Sequence, residues 1–188
     1  MKIAVHQMRS GIDSFVNAEK MAQGIYQASQ VQAAMYFAPE MSLLLDRDRK
    51  RAGAHIISES ENRALNLVTA AARTCGLWVH LGSLPVLKDG SGKYANRSIV
   101  VDPEGQIRAR YDKMHLFDVD LSTGESWRES AAYDAGSGPV AVRTPLGLLG
   151  LSICYDLRFP DLYSAYSNAG VDILAIPAAF TVPTGQAH

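Results

Sequence analysis

The chain has 188 residues, 47% hydrophobic and 20% charged, which suits one globular domain with a sizeable core and excludes the disordered and fibrous classes. Its 18 basic residues stand against 19 acidic ones, so a net charge of -1 offers no field to attract nucleic acid or an anionic membrane. No apolar run reaches membrane-spanning length and the stretch from Met1 to Met8 is too short and interrupted for a signal peptide, so a cytoplasmic protein with two free thiols, Cys75 and Cys154, is expected.

In chain order, Lys2 to Met8 reads as a first strand, and the polar-apolar mixture from Asp13 to about Gln30 as a surface helix. Ala34 to Ala38 is a buried strand, and Glu40, just past Pro39, falls at its end, where loops converge. Asp46 to Arg51 alternates in sign and reads as a solvated loop that could border a pocket. Ser58 and Glu61 have capping-box spacing, which predicts a helix from near Ser58 to a stop at Gly76. Leu77 to Gly82 follows as a strand. Lys88 to Lys93 carries glycines between two strand-like runs and reads as a hairpin turn; a phosphate loop would need glycine where Leu87 stands and Ser or Thr where Tyr94 stands. Ser98 to Asp102 pairs with Ile107 to Tyr111 across Pro103-Glu104-Gly105. Val140 to Arg143 turns at Pro145 to Gly147 into the apolar run Leu148 to Cys154. Pro160 suits the first turn of a helix to Ala169, and Asp172 to Pro177 makes a last strand. Hairpins set among strand-helix alternations imply an α/β layered fold with a mixed sheet, spanning residues 1–188 as a single domain.

Three residues stand out chemically, and each also has an ordinary reading. Cys154 sits where a buried strand turns toward a helix, an elbow that can present a nucleophile beside backbone N–H groups. A lone cysteine is otherwise an inert buried thiol, which is the reading of Cys75. Lys113 alone reads as a surface lysine. Glu40 lies among Phe37, Ala38, Met41 and Leu43 to Leu45, so its carboxylate needs a partner, in a structural salt bridge or in catalysis.

Taken together, Phe37-Ala-Pro-Glu40, Asp112-Lys113-Met-His-Leu-Phe and Ser152-Ile-Cys154-Tyr-Asp-Leu-Arg-Phe-Pro resemble, in order, the Glu, Lys and Cys motifs of the nitrilase superfamily of carbon-nitrogen hydrolases. Ala4-Val5-His6-Gln7, Arg128-Glu129-Ser130, Ile176 to Thr181 and Thr184-Gly185 match as well, so the resemblance covers essentially the whole chain. It implies a four-layer αββα sandwich with mixed sheets, a homodimer or higher homo-oligomer, and hydrolysis of a non-peptide C–N bond with neither metal nor cofactor. Glu40 is then the general base, Cys154 the nucleophile, and Lys113 with the Tyr155 backbone N–H the oxyanion partner. Glu129 matches a second glutamate that supports the lysine.

Arg158 and Thr184 are candidates to bind a substrate carboxylate; Arg158 also reads as a brace to Asp156 or Asp161. The five histidines show no metal-ligand spacing. Cys154-Tyr-Asp-Leu-Arg-Phe-Pro160 is similar to the amidase branch, whereas nitrilases carry Trp-Glu there and carbamoyl-amino-acid hydrolases tend toward Asn-Asp-Arg. That branch implies a small carboxylate-bearing amide as substrate, deaminated glutathione first and α-ketoglutaramate second, with release of ammonia. Family members continue past the equivalent of His188, so the fold is expected to be C-terminally incomplete. The rival readings are an inactive remnant that binds a partner, a thiol redox sensor, and a nitrilase or carbamoyl hydrolase.

Overall fold

The computed structural model describes residues 1–88, 90–120, 124, 126–180 and 182–186, the side chains of 183 and 184 excepted. Strand β1 (Ile3–Val5) leads into helix α1 (Ser14–Gln30), whose first turn is capped by Asp13 Oδ1 accepting the N–H groups of Phe15 and Val16 at 2.9 and 3.1 Å. Strand β2 (Met35–Phe37) and the short helix α2 (Arg49–Gly53) follow, then α3 (Arg63–Cys75), β3 (Trp78–His80), β4 (Leu84–Leu87), β5 (Tyr94–Val101) and β6 (Ile107–Asp112). A small ribbon of β7 (Asp118–Asp120) and β8 (Ser126–Arg128) precedes β9 (Val140–Thr144), β10 (Gly147–Leu151), α4 (Pro160–Asn168), β11 (Ile173–Ala175) and α5 (Val182–Gln186).

Strands β1 to β6 form a six-stranded sheet in which β1, β2 and β3 run parallel and β4, β5 and β6 pair as antiparallel neighbours. Alternation along the strands sends Tyr36, Val79, Ile99 and Val101 to one face, where they join Met21 and Ile25 of α1 and Leu65 and Val68 of α3 in a buried core. The opposite face sends Met35, Val100, Ala109 and Tyr111 against Leu149, Leu151 and Ala175 of a second sheet, ordered β11-β10-β9. Helix α4 covers the far side of that second sheet. A Cβ on Gly150 would come within 3.1 Å of the Tyr166 ring, so glycine lets the helix approach. The layers are therefore helix, sheet, sheet, helix, an αββα sandwich with both parallel and antiparallel pairing.

Several boundaries differ from the sequence reading. Helix α3 starts at Arg63, four residues past Glu59, because Asn62 Oδ1 accepts Leu65 N–H at 3.0 Å; Ser58 donates instead to the Glu61 carboxylate at 2.7 Å. Gly76 ends the helix as expected, with φ +58°. Lys88 N–H donates to Lys93 O at 2.9 Å across an antiparallel β4–β5 pair, which makes that segment a hairpin turn. The mixed-sign run is not a plain loop, since Asp48 Oδ1 accepts the N–H groups of Lys50 and Arg51, both at 3.0 Å, and starts α2. Strands β7 and β8 have no counterpart in that reading. No helix among the described residues is long and apolar enough to cross a membrane.

His80, at the end of β3, is fully enclosed and its Nε2 meets Ser98 Oγ at 2.9 Å. Burial holds its imidazole neutral, down to about 4 from the usual 6.5. The unfolded chain binds a proton below 6.5 that the native protein refuses, so His80 removes stability as pH falls from about 6.5 to about 4. Unfolding free energies from urea titrations across that window should fall with pH at about 1.4 kcal/mol per unit from this residue, and His80→Asn should flatten the slope.

Candidate active site

Glu40 is placed by a tight junction between the ends of β2 and β3. Ala38 N–H donates to His80 O at 3.0 Å, and Gly82, at φ +75°, lies so close to Pro39 that a Cβ there would stand 1.9 Å from its carbonyl oxygen. Ser83 fixes the next turn, with Met41 N–H on its hydroxyl at 2.9 Å and Ser42 N–H on its carbonyl at 2.7 Å. The Glu40 carboxylate is consequently buried and fully engaged. Its Oε1 accepts Lys113 Nζ at 3.1 Å and Asn96 Nδ2 at 3.0 Å, and its Oε2 accepts Ala179 N–H at 2.9 Å.

Lys113 follows the last residue of β6 and is only 2% exposed, so the surface-lysine reading fails. Its main chain is clamped on both sides: its N–H donates to Asn96 O and its carbonyl accepts Gly136 N–H, each at 2.9 Å. The ammonium also lies 3.1 Å from Glu129 Oε2, which itself accepts Phe117 N–H at 2.7 Å. Burial alone would lower the lysine's proton affinity; Glu40 and Glu129 outweigh it and push the pKa above the ordinary value. The site therefore holds a permanent cation between two carboxylates.

Strand β10 ends at Leu151, and Cys154 opens a 3-10 turn (Cys154–Arg158) rather than ending the strand. Its φ of +48° is uncommon for a residue with a side chain, and the neighbouring structure enforces it through Cys154 N–H donating to Pro177 O at 2.9 Å. The thiol comes within hydrogen-bonding reach of Glu40 and of Ala179 N–H; burial first, then the Glu40 charge, push it up to about 12, with Lys113 opposing. At neutral pH the resting group is a thiol.

A fully buried carboxylate joins the Cys154 elbow to the Lys113 segment. Asp156 Oδ2 accepts Tyr111 Oη at 2.7 Å and Ile153 N–H at 2.8 Å, while Oδ1 accepts His115 N–H at 2.9 Å and meets His115 Nδ1 at 2.7 Å. Its oxygens therefore brace Ile153, beside Cys154, to residues on either side of Lys113. Asp156→Asn sets an NH2 group against a backbone N–H, that of Ile153 or that of His115, so one of these contacts becomes repulsive whichever way the amide is turned. We expect kcat to fall by about 10- to 100-fold with KM little changed, because the two catalytic groups lose register; steady-state kinetics on the folded variant reads this split.

These groups open into a cavity of about 520 Å³. Glu40, Lys113, Cys154, Glu129, Tyr155 and Arg158 all line it, so the sequence candidates converge. The Thr184 side chain lies outside the described residues. Phe117, Val119 and Trp127 of the β7–β8 ribbon region form an apolar wall, and Leu157 and Phe180 extend it. The run Asp46 to Arg51 does border the pocket, as its sequence allowed, since Asp46, Arg47 and Arg49 line the same space. Sequence reasoning missed Asn96, Asp156 and the Ala179 N–H. A buried asparagine in an apolar strand was the available signal for the first; Asp156 read only as a partner for Arg158. Cys75 packs partly buried against the helix-side core, away from this cavity. Among the described residues no group of three His, Cys, Asp or Glu side chains is placed to hold a metal ion.

A buried Glu, Lys and Cys meeting at the mouth of an αββα sandwich define the class, and the family model for carbon-nitrogen hydrolases matches residues 2–188: the chain belongs to that family. The deaminated glutathione amidase of Yersinia enterocolitica is 35% identical over 99% of this chain and 65% of its own length. The crystal structure of the Caenorhabditis elegans NitFhit protein superposes with a TM-score of 0.86 at 32% identity, over 99% of this chain and 45% of that one. Saccharomyces cerevisiae Nit3, a member of branch 10 of the nitrilase superfamily, gives 0.84 at 25% identity, over 100% of this chain and 68% of that one. The chain thus spans less than two thirds of the curated relative's length.

Proposed function

We propose that this site is that of a cysteine amidase acting on small carboxylate-bearing amides. The carrying observation is the buried Glu40 carboxylate in reach of both the Cys154 thiol and the Lys113 ammonium. The thiol adds to the amide carbonyl as Glu40 takes its proton, since the thiolate is the effective nucleophile. The carbonyl oxygen becomes an oxyanion stabilised by Lys113 and the Tyr155 N–H, in a largely apolar cavity. Glu40 then returns the proton to the nitrogen as the C–N bond breaks, leaving a thioester on Cys154. Water, deprotonated by the same carboxylate, attacks the thioester and restores the thiol. Glu129 holds Lys113 in place throughout.

The similarity to deaminated glutathione amidases favours deaminated glutathione as substrate, with α-ketoglutaramate second. The expected release of ammonia needs correction for the first of these: α-ketoglutaramate is a primary amide and releases ammonia, whereas deaminated glutathione has only secondary amides and releases an amine. A reducing compartment such as the cytoplasm suits a catalytic thiol, and the working unit is a homodimer or larger. The sensor reading is disfavoured, because a thiol pushed up to about 12 carries little thiolate for peroxide to oxidise. The test is a turnover assay on both compounds, with short aliphatic amides, nitriles and carbamoyl compounds as comparisons. Hydrolysis of an amide that vanishes in Cys154→Ala supports the reading; turnover that survives the substitution, or a folded protein inert toward all amides, overturns it.

A further inference from the structure

The run Asp46-Arg47-Asp48-Arg49-Lys50-Arg51 carries two acidic and four basic residues, and the structure turns part of that positive excess to the cavity. Asp46 is engaged by Arg51 through two contacts, Nε to Oδ2 and NH2 to Oδ1, both 2.7 Å, and that guanidinium holds its carboxyl at about 2. Asp48 is turned to the first N–H groups of α2. Both acidic groups thus have local partners. Arg47 and Arg49 do not: among the described residues neither has a carboxylate within salt-bridge reach, and both line the cavity that holds Cys154. Arg49 acts electrostatically on the phenol of Tyr133, which lines the same space. Lys50, on the same helix, does not border it.

Two exposed guanidiniums with no counter-ion among the described residues, at the edge of a site whose floor is already anchored by paired charges, can donate to an anion that enters the cavity. The cavity also exceeds what a small ω-amide requires, since about 300–1,000 Å³ is the range that encloses drug-sized ligands. Resting on the amidase reading, we propose that Arg47 and Arg49 form a subsite for the carboxylate on the amine side of the scissile bond, so that the preferred substrates are amides carrying two carboxylates, one at each end. Arg158, on the Cys154 turn, borders the cavity from a different segment and can serve the other end.

The test is equilibrium binding, by calorimetry, of glutarylglycine and of the same compound with its glycine carboxyl capped as the neutral methylamide. Both are offered to the Cys154→Ala protein, which cannot turn them over. The dianion should bind about tenfold or more tightly than the capped compound. In the Cys154→Ala protein that also carries Arg47→Gln and Arg49→Gln, that preference should disappear while the capped compound binds as before. Lys50→Gln, which removes a charge from the same helix outside the cavity, should leave the preference intact. The proposal is overturned if the parent protein shows no preference, if the paired arginine substitution leaves the preference standing, or if Lys50→Gln removes it equally, which would make it a general field. Selective binding with no hydrolysis by the wild-type protein would sink the amidase reading and keep the subsite; hydrolysis without the preference would do the reverse.

Discussion

In Glu40→Gln, amide turnover falls by about a thousandfold, the scale of a lost general base, while alkylation of Cys154 by iodoacetamide shifts to lower pH. The two effects have opposite sense and a common origin. In the proposed mechanism the carboxylate receives the proton during attack, so its loss removes the base that makes the nucleophile. At rest, however, burial and then its negative charge push the thiol up to about 12, against the pull of Lys113. An anion beside a thiol penalises the thiolate; removing it lowers the thiol's pKa, and the alkylation rate, which follows the thiolate fraction, rises at lower pH. A pH series of alkylation rates on wild-type and variant protein reads the shift directly. An unchanged or upward-shifted profile would mean that Glu40 does not act on the sulfur.

Lys113→Met is expected to bring the largest loss of stability. The ammonium lies 3.1 Å from Glu40 and 3.1 Å from Glu129, and removing it leaves two carboxylates facing one another with no cation between them. Breaking a buried pair typically costs about 3–5 kcal/mol, and the lower end applies here because the Glu129 side chain is 13% exposed. In the variant the orphaned carboxylates hold protons more tightly in the native state than when unfolded, so the native protein gains relative stability as pH falls and the deficit against wild type narrows. Denaturant titrations at pH 7 and pH 5 check both the size and the direction. Adding Glu129→Gln should recover part of the loss; a deficit below about 1 kcal/mol at neutral pH would contradict the charge-balanced picture.

Much of this architecture was legible because local rules and packing agree. Asp13 caps a helix whose buried residues recur at helical spacing, Gly76 ends α3 in the left-handed region, and Pro160 opens α4. The Ser58–Glu61 spacing misled because Asn62, nearer the apolar face of α3, takes the cap instead. The run Asp46 to Arg51 looked solvated because charge alternation is all that a one-dimensional reading sees; pairing of Asp46 with Arg51 is a property of the folded turn. The Glu, Lys and Cys candidates were found through motifs in order, whereas Asn96 and Asp156 were missed for a physical reason. Each acts through contacts made 41 to 56 residues away: Asn96 reaches Glu40, and Asp156 reaches Tyr111 and His115. No local pattern encodes such partners.

The central claim, that Cys154 carries the acyl group, is tested most directly by acid-quenching the protein milliseconds to seconds after mixing with a turned-over amide and weighing the intact chain. An added acyl mass that maps to Cys154 and is absent in Cys154→Ala is the predicted result. Turnover that proceeds with no acyl mass at any quench time, or with the mass on another residue, would contradict the account.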